Sequence, residues 1–166
     1  RGILPRGHRL LVNRARSTAF KGADLVIVAG TPLDFRLGFG VFGGGEGVAS
    51  TRVVHLADSP GQVAGHVELA ASAAGDHTLV FDGLLEAYAA ELRRTRYDGW
   101  ASDLLDAVAA AIERDSPLLA AAADPVHPAR IYGELLPILA DDAVVIGDGG
   151  DFVSWAGRFV EPGRAG

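Results

Sequence analysis

Four short clusters in this chain carry residue types able to hold a ligand. They are Gly30-Thr31-Pro32-Leu33-Asp34-Phe35-Arg36, His55-Leu56-Ala57-Asp58, Gly75-Asp76-His77 and Gly147-Asp148-Gly149-Gly150-Asp151-Phe152. At Gly30 no Cβ keeps a ligand away from the main chain. The Arg36 guanidinium is a planar fork suited to a phosphate or a polar ring edge. Asp58 and Asp76 offer carboxylates that accept hydrogen bonds from ribose hydroxyls or an adenine amine. Together these residues outline a nucleotide site. Taken singly, each has a plainer reading: Gly30 ends a strand, Asp76 caps a helix, and His55 and His77 are hydrogen-bonded structural histidines.

Other chemistries lack their residues. With no Cys in the chain, disulfides, thiolate catalysis and Cys-ligated zinc are excluded. No His-x-x-x-His or paired carboxylate spacing supports a metal site, and Ser59 and Ser154 lack a nucleophile-elbow context. The formal net charge of -6 is spread over mixed acidic and basic residues, which argues against nucleic acid as a partner. The cluster Arg93, Arg94 and Arg96 fits the solvated end of a helix, where cations suit the dipole. No apolar run is long enough for a membrane span and no signal peptide is visible; the absence of Cys fits a reducing cytoplasm, the expected setting. The chain opens on Arg1 and contains no Met, and both ends read as cut from a longer polypeptide.

The elements that would position the clusters follow from hydrophobic pattern. Ala23–Gly30 and Thr51–Asp58 read as buried parallel strands, each closed by a turn signal containing proline. His66–Ala70 is a third strand candidate, and the Gly- and Phe-rich stretch 35–50 a loop. Asp76 is a natural N-cap for a helix whose apolar face is Phe81, Leu85, Tyr88 and Leu92. Trp100–Arg114 is a second helix with Leu104, Leu105, Val108 and Ile112 as its inward stripe. After a Pro-flanked connector, Pro128 starts a helix through Ile131, Leu135 and Leu139 that Pro137 kinks or ends. Ala143–Gly147 reads as another buried strand, Asp148–Asp151 as a tight turn and Phe152–Phe159 as a helix.

The fold class is therefore α/β: a parallel Rossmann-like sheet flanked by helices, followed by the first helix-strand-helix of a second α/β domain. The expected division is 1–115, a linker at 116–126, and 127–166. In such sheets ligands bind at the carboxyl ends of strands, where the clusters lie.

These motifs in this order resemble the acetolactate synthase-like family of thiamine-diphosphate-dependent enzymes. Ala23 to Gly40 is similar to the family's middle domain, where a strand ends in Gly and leads to Phe-Asp-Asp-Arg. Val54–Pro60 resembles the next strand, His-Ile-Asp-Ile-Asp-Pro, and Gly75-Asp76 matches a Gly-Asp before a helix. Pro128–Arg158 is similar to the opening of the C-terminal domain, whose strand ends Asp-Val-Gly-Gln-His; the matching positions are Asp148 to Phe152, with Trp155 following. The resemblance covers nearly the whole chain. This sequence departs from the pattern at Pro32, where the family has Arg before Phe-Asp-Asp-Arg, at Ala57 in place of the first Asp, and at Asp151-Phe152 in place of Gln-His.

The resemblance implies that Gly30, Arg36, Leu56, Ala57, Asp58, Asp76 and His77 sit where the family holds FAD or, in acyl-CoA relatives, an ADP moiety. It places Gly149, Gly150, Asp151 and Phe152 at the phosphates of thiamine diphosphate. It implies a parent enzyme with thiamine diphosphate and Mg²⁺ that decarboxylates a 2-keto acid substrate and joins the product to a second carbonyl, working as a homo-oligomer. The family's cofactor-activating Glu belongs to an N-terminal domain, so no catalytic residue is expected here and the isolated chain is expected to be inert. Gly147-Asp148-Gly149 is not the family's Mg²⁺ motif, which needs a downstream Asn, and the sole Asn is Asn13. Two alternatives stay open: a thiamine-diphosphate-dependent 2-keto acid or acyl-CoA decarboxylase or lyase, and a non-catalytic nucleotide-binding module. The last lacks a Gly-x-Gly-x-x-Gly after a strand.

Overall fold

The computed structural model describes residues 3–44, 50–91, 97–161 and 163. The chain separates into two compact units, residues 17–96 and residues 1–16 with 97–166. The helix over Trp100–Arg114 belongs to the second of these, not to the unit that holds the sheet. The division expected at 116–126 concerns homologous domains and stays a proposal.

In the unit 17–96, α1 (Arg16–Gly22) leads into β1 (Leu25–Ala29), and β2 (Arg52–Ala57) and β3 (Ala71–Ala74) complete a parallel sheet of order β1-β2-β3. The register pairs Val26 with Val53 and Val28 with His55, then Val54 with Ala71 and Ala57 with Ala74. A strand's side chains alternate between faces, so Val26, Val28 and Val53 meet on one face. There they pack with Leu33 and with Phe20, Phe42, Val67 and Leu69 from the flanking segments. Phe20 and Phe42 are in ring contact at 4.7 Å.

Four expectations for this unit need correction. Leu25 and Ile27 on the other face of β1 are 37% and 54% exposed, so β1 is half-buried rather than covered on both sides. The third strand is Ala71–Ala74, not 66–70. Val67 and Leu69 are drawn into the core, and the ladder beside β2 begins only at Ala71. Within 35–50 the chain forms a kinked 3₁₀ turn, Phe35–Gly40, with positive φ at Gly38, Phe39 and Gly40; residues 45–49 lie outside the described ones. α2 (His77–Glu91) starts where expected, Thr78 N–H donating to Asp76 Oδ1 at 2.7 Å. Its apolar residues Phe81, Leu85 and Tyr88 are exposed rather than packed. Leu92 lies outside the described residues.

The second unit is helical. α3 (Asp98–Asp115), α4 (Pro128–Leu135) and α5 (Gly150–Phe159) are joined by the 3₁₀ turns Ser116–Ala120 and Leu136–Ile138. On α3 the buried residues are Leu104, Ala111 and Asp115, while Leu105 and Ile112 are exposed. The inward stripe keeps Leu104 but is turned by roughly 50° from the expected Leu104, Leu105, Val108 and Ile112. α4 begins at Pro128 behind His127, whose Nδ1 accepts the Ala129 N–H at 3.1 Å. It buries Ala129 and Tyr132 and gives way at Leu136-Pro137, as the proline requires. Residues 143–147 form no strand, and Val144 and Ile146 are 87% and 89% exposed. A strand needs a ladder, and this unit holds no other strand among the described residues. No helix among the described residues is long and apolar enough to cross a membrane.

Candidate functional site

The parallel ladder brings three of the four clusters to one edge of the sheet. Gly30 N–H donates to the Leu56 carbonyl at 3.0 Å, and Gly75 N–H to the Ala57 carbonyl at 2.9 Å. The ends of β1, β2 and β3 are thereby in register, and the turns that follow open on the same side. Gly30, Thr31, Pro32, His55, Ala57, Asp58 and Gln62 line a cavity of about 150 Å³ there. Gly30 has φ +64°, in the left-handed region where glycine carries no Cβ penalty.

The two histidines at this edge are bonded differently. His55 is 1% exposed; its Nδ1 accepts the Ala64 N–H at 3.1 Å and its Nε2 faces the Thr31 carbonyl at 3.1 Å. Both ring nitrogens thus have backbone partners, and His55 pins the β1 turn to residue 64 as a structural histidine. His77, at the start of α2, has Nδ1 3.0 Å from Asp58 Oδ1 and Nε2 3.3 Å from the Leu56 carbonyl. Asp58 is otherwise open to solvent.

Arg36 is set differently from the rest. Its Nε lies 3.0 Å and its Nη2 2.6 Å from Asp34 Oδ2, with Nε also 3.1 Å from Oδ1. Asp34 caps the same turn by accepting the Arg36 N–H at 2.9 Å. The Arg36 guanidinium holds the half-buried Asp34 carboxyl below its ordinary range. The fork therefore rests on a neighbouring carboxylate two residues away, and Arg36 is not among the residues lining the cavity. Asp76 spends Oδ1 on the Thr78 N–H. Thr31, Pro32 and His55, from the first two clusters, also line the cavity, and Gln62 lines it from outside the clusters. For Gln62 the only signal was its place in the turn after β2, where Pro60–Gln62 forms a 3₁₀ turn.

The fourth cluster belongs to the helical unit and is treated by itself. Gly149 and Gly150 have φ +23° and +71° and open α5. A Cβ built on either meets nothing within 4 Å, so the main chain there is accessible. Gly147 and Val153 border a mainly apolar hollow of about 550 Å³ with Leu136, Leu139, Val145 and Phe159. Among the described residues no group of three or more His, Asp or Glu side chains could hold a metal ion.

No family model matches the chain. Curated relatives do. A probable acetolactate synthase of Mycobacterium bovis is 39% identical over 163 residues, 97% of this chain and 28% of the relative. An acetolactate synthase large subunit of Mycobacterium tuberculosis matches to the same extent. The human 2-hydroxyacyl-CoA lyase 2 is 26% identical over 170 residues, covering 98% of this chain and 25% of that protein. The chain thus spans a little over a quarter of the length of the relatives it matches best among these.

Proposed function

Because the chain belongs to the acetolactate synthase-like family of thiamine-diphosphate-dependent enzymes, we propose that it forms part of a 2-keto acid carboligase. The reaction decarboxylates one 2-keto acid and joins what remains to a second carbonyl compound. The observation that carries this reading is the likeness to acetolactate synthases along 97% of the chain. Self-association and a cytoplasmic setting belong to the same proposal.

In this reading residues 17–96 hold a nucleotide portion of a cofactor. The strand ends support it: Gly30, the Leu56-Ala57-Asp58 turn and Gly75-Asp76-His77 open on one edge. A ligand pocket usually measures about 300–1,000 Å³. The cavity at this edge is smaller, so it suits a single sugar or ring, with the remainder of the ligand lying along the open strand ends. Pro32 and Ala57 stand where the resemblance has an Arg and an Asp, which weakens the case for FAD, and Asp58 offers a carboxylate in place of the missing one. Asp34, which holds the Arg36 fork, would compete with a phosphate for it.

The start of α5 meets the diphosphate. Its exposed N–H groups and the positive end of the helix suit an anion, and the bare Gly149 and Gly150 let it approach. Thiamine diphosphate, when bound, supplies the electron sink for decarboxylation. Residues 149–152 bind and orient it through the main chain. No Mg²⁺ ligand and no proton-transfer residue is assigned to this chain, and the carboxylate that activates the cofactor comes from elsewhere in the protein.

The test is acetolactate formation from pyruvate by the full-length protein with thiamine diphosphate and Mg²⁺. The reading expects turnover there and none from the 166-residue chain alone. Cleavage of a 2-hydroxyacyl-CoA without acetolactate formation would favour the lyase instead. Comparing FAD, ADP and CoA for their effect on the melting temperature decides which ligand the sheet edge takes, since a ligand of the folded state raises it.

A further inference from the structure

The C-terminal half of α5 is gripped by aromatic and cationic side chains. The His127 ring meets Trp155 edge-on, with centroids 5.1 Å apart, and the Arg158 guanidinium lies over the indole at 4.7 Å. Indole is the aromatic ring that attracts a cation best. One turn on, Phe159 stacks nearly parallel to Trp155 at 6.2 Å and against Tyr132 of α4 at 6.0 Å. The Arg14 guanidinium stands 5.6 Å from the centre of the Phe159 ring.

Two of these residues tie the grip to other elements. His127 caps α4, its Nδ1 accepting Ala129 N–H, while the same ring closes on Trp155. Arg158 reaches toward α3, its Nη1 3.9 Å from Asp115 Oδ2. At the other end of α5, Gly149 and Gly150 have no side chain to pack, and a Cβ on either would meet nothing within 4 Å. The first N–H groups of a helix have no acceptor within it. This end therefore has donors to offer.

A helix this short is stiff, so the grip at Trp155 decides where Gly150 stands. Five residues separate them, about 7.5 Å along the axis at roughly 1.5 Å per residue. A tilt of roughly 8° about Trp155 moves the free end by about 1 Å over that length. A misplacement of about 1 Å is enough to cost an enzyme on the order of a hundredfold.

We propose that Trp155, braced by His127 and Arg158, is a positioning residue for the cofactor: it fixes the tilt of α5 so that the amides at its start converge on the diphosphate. It acts through the helix and not by touching the cofactor. The proposal rests on the reading above that residues 149–152 meet the diphosphate.

The test titrates thiamine diphosphate calorimetrically into the full-length protein freed of cofactor, at saturating Mg²⁺. Trp155→Leu should weaken binding by roughly ten- to hundredfold, the loss of one hydrogen bond to a charged group. At saturating cofactor its KM for pyruvate should stay at the wild-type value, and Trp155→Phe should recover most of the affinity. His127→Asn keeps a capping oxygen for α4 but removes the ring from Trp155, and should weaken binding in the same direction. It decides the matter if Trp155→Leu does not fold.

Leu104→Ala, which hollows the core at buried Leu104 of α3, supplies the comparison. It should lower the melting temperature and leave the affinity for thiamine diphosphate unchanged. If it weakens binding as much as Trp155→Leu does, the indole only stabilises the fold and the proposal fails. Gly150→Ala separates the two readings, because it crowds the amides directly. If Gly150→Ala weakens binding while Trp155→Leu and His127→Asn bind as the wild type does, the positioning role is overturned and the diphosphate reading stands. If Gly150→Ala also binds as the wild type does, the diphosphate reading fails and the positioning role falls with it.

Discussion

Arg14 Nη2 sits 2.8 Å from Asp115 Oδ2, and the two side chains are only 8% and 6% exposed. The same guanidinium donates to the Ala111 carbonyl at 2.9 Å and the Arg158 carbonyl at 2.6 Å, so one buried cation joins the start of the chain to α3 and α5. Arg114 adds an Nε–Oδ1 contact of 2.9 Å from the exposed side. Removing one partner of such a pair leaves the other charge buried without compensation. Asp115→Asn should therefore lower stability by about 3–5 kcal/mol, measured by denaturant midpoint on the full-length protein. The double variant Arg14→Met with Asp115→Leu should lose less than Asp115→Asn alone, because an apolar pair of similar volume leaves no charge stranded.

The same carboxylate sets a pH dependence. Burial pushes the Asp115 carboxyl up, but the Arg114 hydrogen bond and the charges of Arg114, Arg14 and Arg158 outweigh it, and the group is held below its ordinary value of 3.8. A carboxyl depressed in the folded state binds its proton more readily when unfolded. Its contribution is thus complete above that ordinary value and is lost as pH falls through the lower folded value. The stability gap between wild type and Asp115→Asn should be constant from neutral pH to about pH 5 and close below about pH 4. Denaturant midpoints across that range check it; a gap that widens with acid would contradict the assignment.

Gly133 on α4 lies so close to the turn Ser116–Ala120 that a Cβ there would collide with the Leu119 carbonyl oxygen. The obstacle is backbone, which cannot swing aside as a flexible side chain would. Gly133→Ala should cost about 1–3 kcal/mol or more by overpacking, even though alanine favours helix by itself. A lowered thermal midpoint is the expected readout. The same substitution at Gly149, where a Cβ has open space, should leave packing alone and act through its positive φ.

At the sheet edge, Gly30→Ala should cost roughly 1–2 kcal/mol for a Cβ in the left-handed region. Here the new methyl meets His77 Cε1 at an ordinary 3.7 Å, so strain rather than collision is the cause. If the edge holds a nucleotide, ADP binding by this variant should weaken by more than the stability loss suggests, since the methyl also fills the ligand's approach. Calorimetric titration of the folded variant measures this separately from its melting temperature.

Much of this protein could be read before any coordinates. The β-branched runs at 25–29 and 52–57, the Asp76 cap and the Pro128 helix start all stand where the pattern placed them, because each depends on neighbours within a few residues. The clustering of Gly30, Leu56–Asp58 and Gly75–His77 also followed, since parallel strands in register must end together. Other features needed the tertiary structure. Ala71–Ala74 is a strand only because β2 offers a ladder at that register, whereas Ala143–Gly147 has far better strand residues and no ladder to join. The inward face of α3 runs through Ala111 and Asp115 because Arg14, about a hundred residues away, supplies the charge that lets an aspartate be buried. Local pattern decides which elements can form. Which face is covered, and which polar group finds its partner, depends on contacts between residues distant in sequence, and only folding brings those together.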